Sequence, residues 1–120
     1  MFKTESLQRR ESREKFRDGK GVSLLCNIVE KEELLGNCRF FGKITLDPGC
    51  SIGYHQHDRE EEVYYILSGQ GVVNDNGDTR TVNPGDSVLT GNGAFHSIEN
   101  QGDVPLEFIG VILTYDPPER

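Results

Sequence analysis

From residue 49 onward the chain is punctuated by glycine-bearing turn pairs at short, regular spacing, and that rhythm restricts the fold more than any other feature. Ser68-Gly69, Asn76-Gly77, Pro84-Gly85, Asn92-Gly93 and Gln101-Gly102 leave between them only short runs. These are Val63 to Leu67, Gly71 to Asn74, Arg80 to Val82, Ser87 to Thr90, Phe95 to Glu99 and Leu106 to Tyr115. Such frequent turns suit short antiparallel strands better than long helices, and strands of this length joined by tight turns make an antiparallel sandwich or barrel. Fourteen Gly and five Pro in 120 residues fit the same reading, and a chain this long builds one modest core. The expectation is an all-β domain.

Upstream, Leu24 to Val29 is a β-prone run, and Cys38 to Leu46 alternates well enough to form a strand before Asp47-Pro48-Gly49 turns the chain. Leu7 to Arg17 is rich in Glu, Arg and Gln, with Gly19 and Gly21 placed to stop a helix, so a short N-terminal helix is expected. Because the segment has no apolar face, it also reads as an arm that orders against a partner subunit, or as a solvated tail. The division expected is residues 1–22 as the arm and 23–116 as the barrel.

Several function classes are disfavoured by charge and hydropathy. A formal charge of −7, with basic residues concentrated in the first twenty positions, suits neither nucleic acid nor an anionic membrane surface. No apolar run approaches the roughly 18 residues of a membrane helix, and the first twenty residues lack the apolar core of a secretory signal. Cys26, Cys38 and Cys50 are scattered and odd in number, as for reduced thiols. A soluble, cytoplasmic protein is expected.

All three histidines bear on one chemistry. His55 and His57 are one residue apart, so in extended chain both imidazoles point to the same face. Past the polar turn 58–61, Glu62 opens a strand that would set its carboxylate across from them, and His96 begins another strand after Asn92-Gly93. A lone histidine beside a turn is commonly a surface residue, and His96 by itself would be read so. Together, three imidazoles and one carboxylate make a donor set of borderline hardness. It suits one divalent transition metal (Mn, Fe, Co, Ni, Cu or Zn) rather than Ca or Mg, with open positions for a ligand.

These residues resemble the two motifs of the cupin superfamily. The first, Gly, five residues, His-x-His, three or four residues, Glu, six residues, Gly, is matched by Gly49-CSIGY-His55-Gln-His57-DREE-Glu62-VYYILS-Gly69. Glu61 would satisfy the shorter variant, but Glu62 leaves the required six residues before Gly69. The second motif is matched by Gly85-DSVLT-Gly91-Asn-Gly93-AF-His96-SIE-Asn100, except that Gly91 stands where the family usually has Pro, which should loosen that turn. The likeness runs from about Phe40 to Leu113, and the spacer between the motifs, Gln70 to Pro84, is short, as in small single-domain microbial cupins. It implies a double-stranded β-helix, or jelly-roll barrel, with a metal held in its mouth by His55, His57, Glu62 and His96. It also implies that Gly69 and Gly93 occupy turns of positive φ.

If Glu62 faces inward, Tyr64 and Ile66 do too, and Val63, Tyr65 and Leu67 form an apolar outer stripe. Such a stripe fits a homodimer; cover by the N-terminal arm is the alternative. Tyr64 is the candidate substrate-pocket residue, and no catalytic residue is assigned. A small metalloenzyme acting on a polar metabolite is expected, its class (isomerase, dioxygenase, decarboxylase or lyase) open, with a non-catalytic, sugar-like small-molecule binding module as the alternative. Arg39, Lys43 and Arg80 are the few cations of the barrel region available to hold a phosphate. Tyr64, Ile66, Phe41, Phe95 and Phe108 are the candidates for an apolar pocket wall.

Overall fold

The computed structural model describes residues 1–119, which form ten strands and two isolated 3₁₀ turns. The strands are β1 (Arg9–Glu14), β2 (Val22–Val29), β3 (Cys38–Leu46), β4 (Ser51–Gln56) and β5 (Glu60–Ser68), followed by β6 (Gly71–Asp75), β7 (Asp78–Val82), β8 (Ser87–Gly91), β9 (Phe95–Glu99) and β10 (Leu106–Thr114). They assemble into a six-stranded sheet in the order β1-β2-β3-β10-β5-β8 and a four-stranded sheet in the order β4-β9-β6-β7. Every pairing is antiparallel. The two sheets face each other as a double-stranded β-helix.

Local chemistry explains the turns. Between β6 and β7, where Asp75 pairs with Asp78, only Asn76 and Gly77 remain, at φ 51° and 97°. A two-residue hairpin whose twist matches its strands needs positive φ at both positions, which Asn and Gly adopt at little cost. Gly69 and Gly93 likewise sit at positive φ. Along β5 the alternation is strict: Glu62, Tyr64 and Ile66 are buried, while Tyr65 and Leu67 are exposed. The core between the sheets centres on Leu46, Ile52, Ile66, Ile98, Leu106 and Phe108, each worth about 1.5–3 kcal/mol of burial.

The expected N-terminal helix does not form. Residues 9–14 are an edge strand, with Arg9 opposite Asn27 and Glu14 opposite Val22, and only Glu5–Leu7 and Phe16–Asp18 make single 3₁₀ turns. A helix here would have no apolar face to bury, whereas a strand satisfies the open edge of β2 with backbone hydrogen bonds, and Asn27 Nδ2 adds a bond to Arg9 O at 3.1 Å. The arm therefore orders against its own chain. Its charged sequence, Arg-Arg-Glu-Ser-Arg-Glu, blunts further edge pairing. Nor does it cover the outer stripe, because β1 and the β5-β8 pair lie at opposite ends of the sheet.

Candidate metal centre

At one end of the barrel the two sheets bring the three histidines and Glu62 together. His55 lies in β4 opposite His96 in β9, after a register shift that follows Ile52. His57 lies just past β4, anchored by its N–H to Ala94 O at 3.0 Å and by its carbonyl, which accepts from Gly93 N at 2.9 Å. Glu62 projects from β5 in the facing sheet. Opposite its strand, Gly110 leaves a cradle: a Cβ there would lie 3.1 Å from Glu62 Oε2.

The ligand atoms of the four residues all lie within 4.8 Å of one another. His57 Nε2 is 2.9 Å from His96 Nε2, 3.2 Å from His55 Nε2 and 3.0 Å from Glu62 Oε1, and His96 Nε2 is 3.1 Å from the same oxygen. Adjacent ligands on metal bonds of about 2.1 Å are separated by about 3.0 Å, so these spacings match the edges of a coordination polyhedron. The donor set fits a divalent transition ion.

Partners outside the cluster orient the rings. His55 Nδ1 donates to Gly53 O at 2.6 Å and His57 Nδ1 to Glu60 Oε2 at 2.5 Å, so both turn Nε2 toward the centre. Arg39 holds Glu60 in turn through two hydrogen bonds of 2.8 Å. His96 Nδ1 has no hydrogen-bond partner among the described residues, and its ring is held instead by stacking on Tyr64, 4.7 Å between centroids at 11°. Tyr64 sets its hydroxyl 3.3 Å from His96 Nε2. Burial and the Glu62 carboxylate push that hydroxyl well above its usual pKa, so it stays protonated.

The charges of the cluster are set by opposing causes. Burial works against ionisation of Glu62, but hydrogen bonds with His57 and His96 outweigh it and hold the carboxyl below the ordinary range. Burial lowers His55 to about 4, the Gly53 carbonyl only partly offsetting it. His57 is also pushed down by burial, yet Glu62 and Glu60 together raise it above its usual value.

A cavity of about 370 Å³ opens over this cluster, lined by His55, His57, Glu62 and Tyr64 and by Arg9, Arg13, Arg17 and Arg39 among others. Cations are thus better supplied than the barrel sequence suggests. Of the three basic residues singled out there, Arg39 reaches the cavity, whereas Lys43 pairs with Glu107 and Arg80 with Asp78 elsewhere. The others come from the N-terminal segment. Arg9, Glu11 and Arg13 all line the cavity from one face of β1, an i, i+2 pattern visible in the sequence once the segment is read as a strand. Of the expected apolar wall, Tyr64 lines the cavity. Ile66 and Phe108 are fully buried core residues, and Phe95 stacks on Tyr54. Phe40, not Phe41, lines the wall, because strand alternation turns Phe41 to the other face.

Gly91, the departure from the family motif, has a packing reason. A Cβ there would fall 2.4 Å from Glu61 Cβ and 2.7 Å from Glu60 O, so the β8 end packs against β5 too closely for proline or any side chain.

A family model for the cupin domain matches residues 42–112. The chain is 43% identical over 98 residues to an oxalate-binding protein of Thermotoga maritima, covering 82% of this chain and 81% of that one. It is 33% identical over 78 residues to the tetracenomycin polyketide synthase protein TcmJ of Streptomyces glaucescens, covering 65% of this chain and 52% of that one. Among solved structures, the crystal structure of a predicted oxalate decarboxylase from Thermotoga maritima superposes with a TM-score of 0.90 at 39% identity, covering 95% of this chain and 99% of that one. Among the described residues no helix is long and apolar enough to cross a membrane.

Proposed function

Since the chain belongs to the cupin family, we propose that it binds one divalent transition metal through His55, His57, Glu62 and His96 and takes a small carboxylate of the oxalate type over that ion. The convergence of four donor atoms with neighbouring spacings of 2.9–3.2 Å carries this reading. A bound ion would supply Lewis acidity and positions open to oxygen ligands. The chain's own residues do the rest. Glu60 and Arg39 orient His57, Tyr64 offers a protonated hydroxyl to the ligand, and the arginines of the cavity wall attract anions. The oxalate names attached to the Thermotoga maritima matches support the ligand class.

On this reading the protein is a small metalloenzyme, with residues 23–116 as the barrel and 1–22 as the arm that walls its mouth. It works as a homodimer in the cytoplasm, where Cys26, Cys38 and Cys50, all free, stay reduced. A second reading, a binding protein without turnover, draws on the name of the oxalate-binding relative.

Elemental analysis of untagged protein beside a His55→Ala, His96→Ala double variant tests the proposal. One equivalent of metal in the wild type and none in the variant is expected; equal metal content in both overturns the ligand assignment. Incubating loaded protein with oxalate and assaying formate and carbon dioxide then separates the readings. Turnover supports the enzyme, and saturable binding with no product supports the binding protein.

A further inference from the structure

Of the four arginines that line the cavity above the His/Glu cluster, one has no carboxylate partner among the described residues. Arg9 is paired with Glu30 at 3.1 Å and with Glu11, Arg13 with Glu11 at 2.7 Å, and Arg39 with Glu60 at 2.8 Å. Arg17 lines the same cavity with no carboxylate partner among the described residues, its guanidinium carbon 6.0 Å from the ring centroid of Phe16.

The backbone holds Arg17 in that place at some cost. Lys15, Arg17 and Asp18 all have left-handed φ, of 47°, 54° and 62°, a region that L side chains other than Asn and Asp rarely enter. The turn is laid directly on β4: a Cβ at Gly53 would fall 2.0 Å from Arg17 O, and one at Gly19 would fall 2.2 Å from Ser51 O. Ser51 closes the contact with its N–H to Lys20 O and its Oγ accepting from Lys20 N, each at 2.9 Å. Phe16 packs against the core from the same turn. A strained, tightly seated turn that presents an uncompensated arginine to a metal-site cavity is well placed to meet an anion.

We propose that Arg17 is the specificity-determining anchor of this pocket, gripping the outer oxygens of a small dicarboxylate whose inner oxygens face the His55, His57, Glu62 and His96 cluster. The inference rests on the reading of that cluster as a metal site. A divalent ion beside the Glu62 carboxylate leaves one net positive charge and Arg17 adds a second, while Lys31 and Glu32 of the same wall cancel in formal charge, so the pocket matches a dianion better than a monoanion. In a chain of net charge −7 this local surplus is what lets such a ligand approach.

The test is calorimetric titration of oxalate, and of acetate as a monoanion, into full-length protein loaded with manganese(II). Wild type is compared with Arg17→Gln, Arg17→Lys and Arg17→Asn, the last tolerating the left-handed backbone. Metal content and thermal melting are measured on each. Expected are one equivalent of metal and an unchanged melt in all variants, oxalate binding at least tenfold weaker in Arg17→Gln and Arg17→Asn, a smaller loss in Arg17→Lys, and little change for acetate. Wild-type oxalate affinity in Arg17→Gln overturns the anchor and leaves the metal-site reading standing. Loss of metal or of the fold in both Gln and Asn variants overturns it in favour of a structural role. A loaded wild type that binds no oxalate overturns the ligand class and the anchor together, and a wild type that binds no manganese overturns the metal assignment on which both depend.

Discussion

Glu60 Oε2 lies 2.5 Å from Nδ1 of His57, on the side of the ring opposite the cluster of His55, His96 and Glu62. The carboxylate accepts the Nδ1 proton, which fixes the tautomer and aims Nε2 inward, and it is itself clamped by Arg39. Burial opposes ionisation of Glu60, but Arg39 and His57 hold it below the ordinary carboxylate range. Carboxylates that orient a ligating imidazole are typically worth about 10–100-fold in metal affinity. Glu60→Gln is therefore expected to weaken metal binding by about that factor without unfolding the barrel, as read by competition with a chromophoric chelator. Wild-type affinity in that variant would mean that packing alone orients His57.

Gly110 and Glu62 form a second such dependence. A methyl group at Gly110 would stand 3.1 Å from Glu62 Oε2, with Ile44 Cδ1 at 3.3 Å closing the other side. Gly110→Val is expected to displace the carboxylate and overpack the core, lowering stability by about 1–3 kcal/mol. Metal affinity should fall further than Gly110→Ala makes it fall. Melting curves with and without metal separate the two effects, and a Val variant with unchanged metal affinity would show that Glu62 has room to spare.

The strands after residue 49 and the grouping of the histidines were legible because both are local. Turn pairs mark the hairpins, and an i, i+2 spacing puts His55 and His57 on one side of an extended chain. The choice among Glu60, Glu61 and Glu62 follows from alternation once the strand starts at Glu60: Glu62 turns into the core, Glu60 shares its face and takes His57 Nδ1, and Glu61 faces Gly91. Strand β1 was not legible. Its residues favour helix when taken alone, and only the open edge of β2, distant in sequence, makes a strand the better choice. With β1 unseen, the arginines it carries to the cavity were hidden too.

The outer face of the six-stranded sheet carries Tyr65 at 46% exposure, Leu67 at 43%, Leu89 at 59% and Leu113 at 41%, and β1 is too far away to cover it. A dimer of ordinary size buries about 800 Å² on each partner, with apolar residues at its centre. Static light scattering is expected to give a dimer at micromolar concentration and a monomer for Tyr65→Glu, Leu89→Glu, with metal content unchanged. A monomeric wild type ends the proposal of a homodimer.

Acid should release the metal, with His57 giving up coordination before His55. Coordination needs neutral imidazoles, whose reference pKa is about 6.5, so protons compete with the ion as pH falls. His55, held near 4 by burial, stays neutral through mild acid, and Glu62, held below the ordinary carboxylate range, stays ionised. His57 is the exception, because Glu62 and Glu60 outweigh its burial and raise its pKa. A raised pKa means the proton is kept to higher pH, so metal affinity climbs as pH rises through the His57 value and drops as pH falls through it. In the metal-free chain the same shift has the opposite sign: it stabilises the fold below about pH 6.5, and that contribution is lost as pH rises through the raised value. The increase in melting temperature conferred by metal should therefore be largest above pH 7 and shrink below about pH 6, in step with metal content after dialysis. A full equivalent of metal retained down to about pH 4 would contradict ligation by three imidazoles.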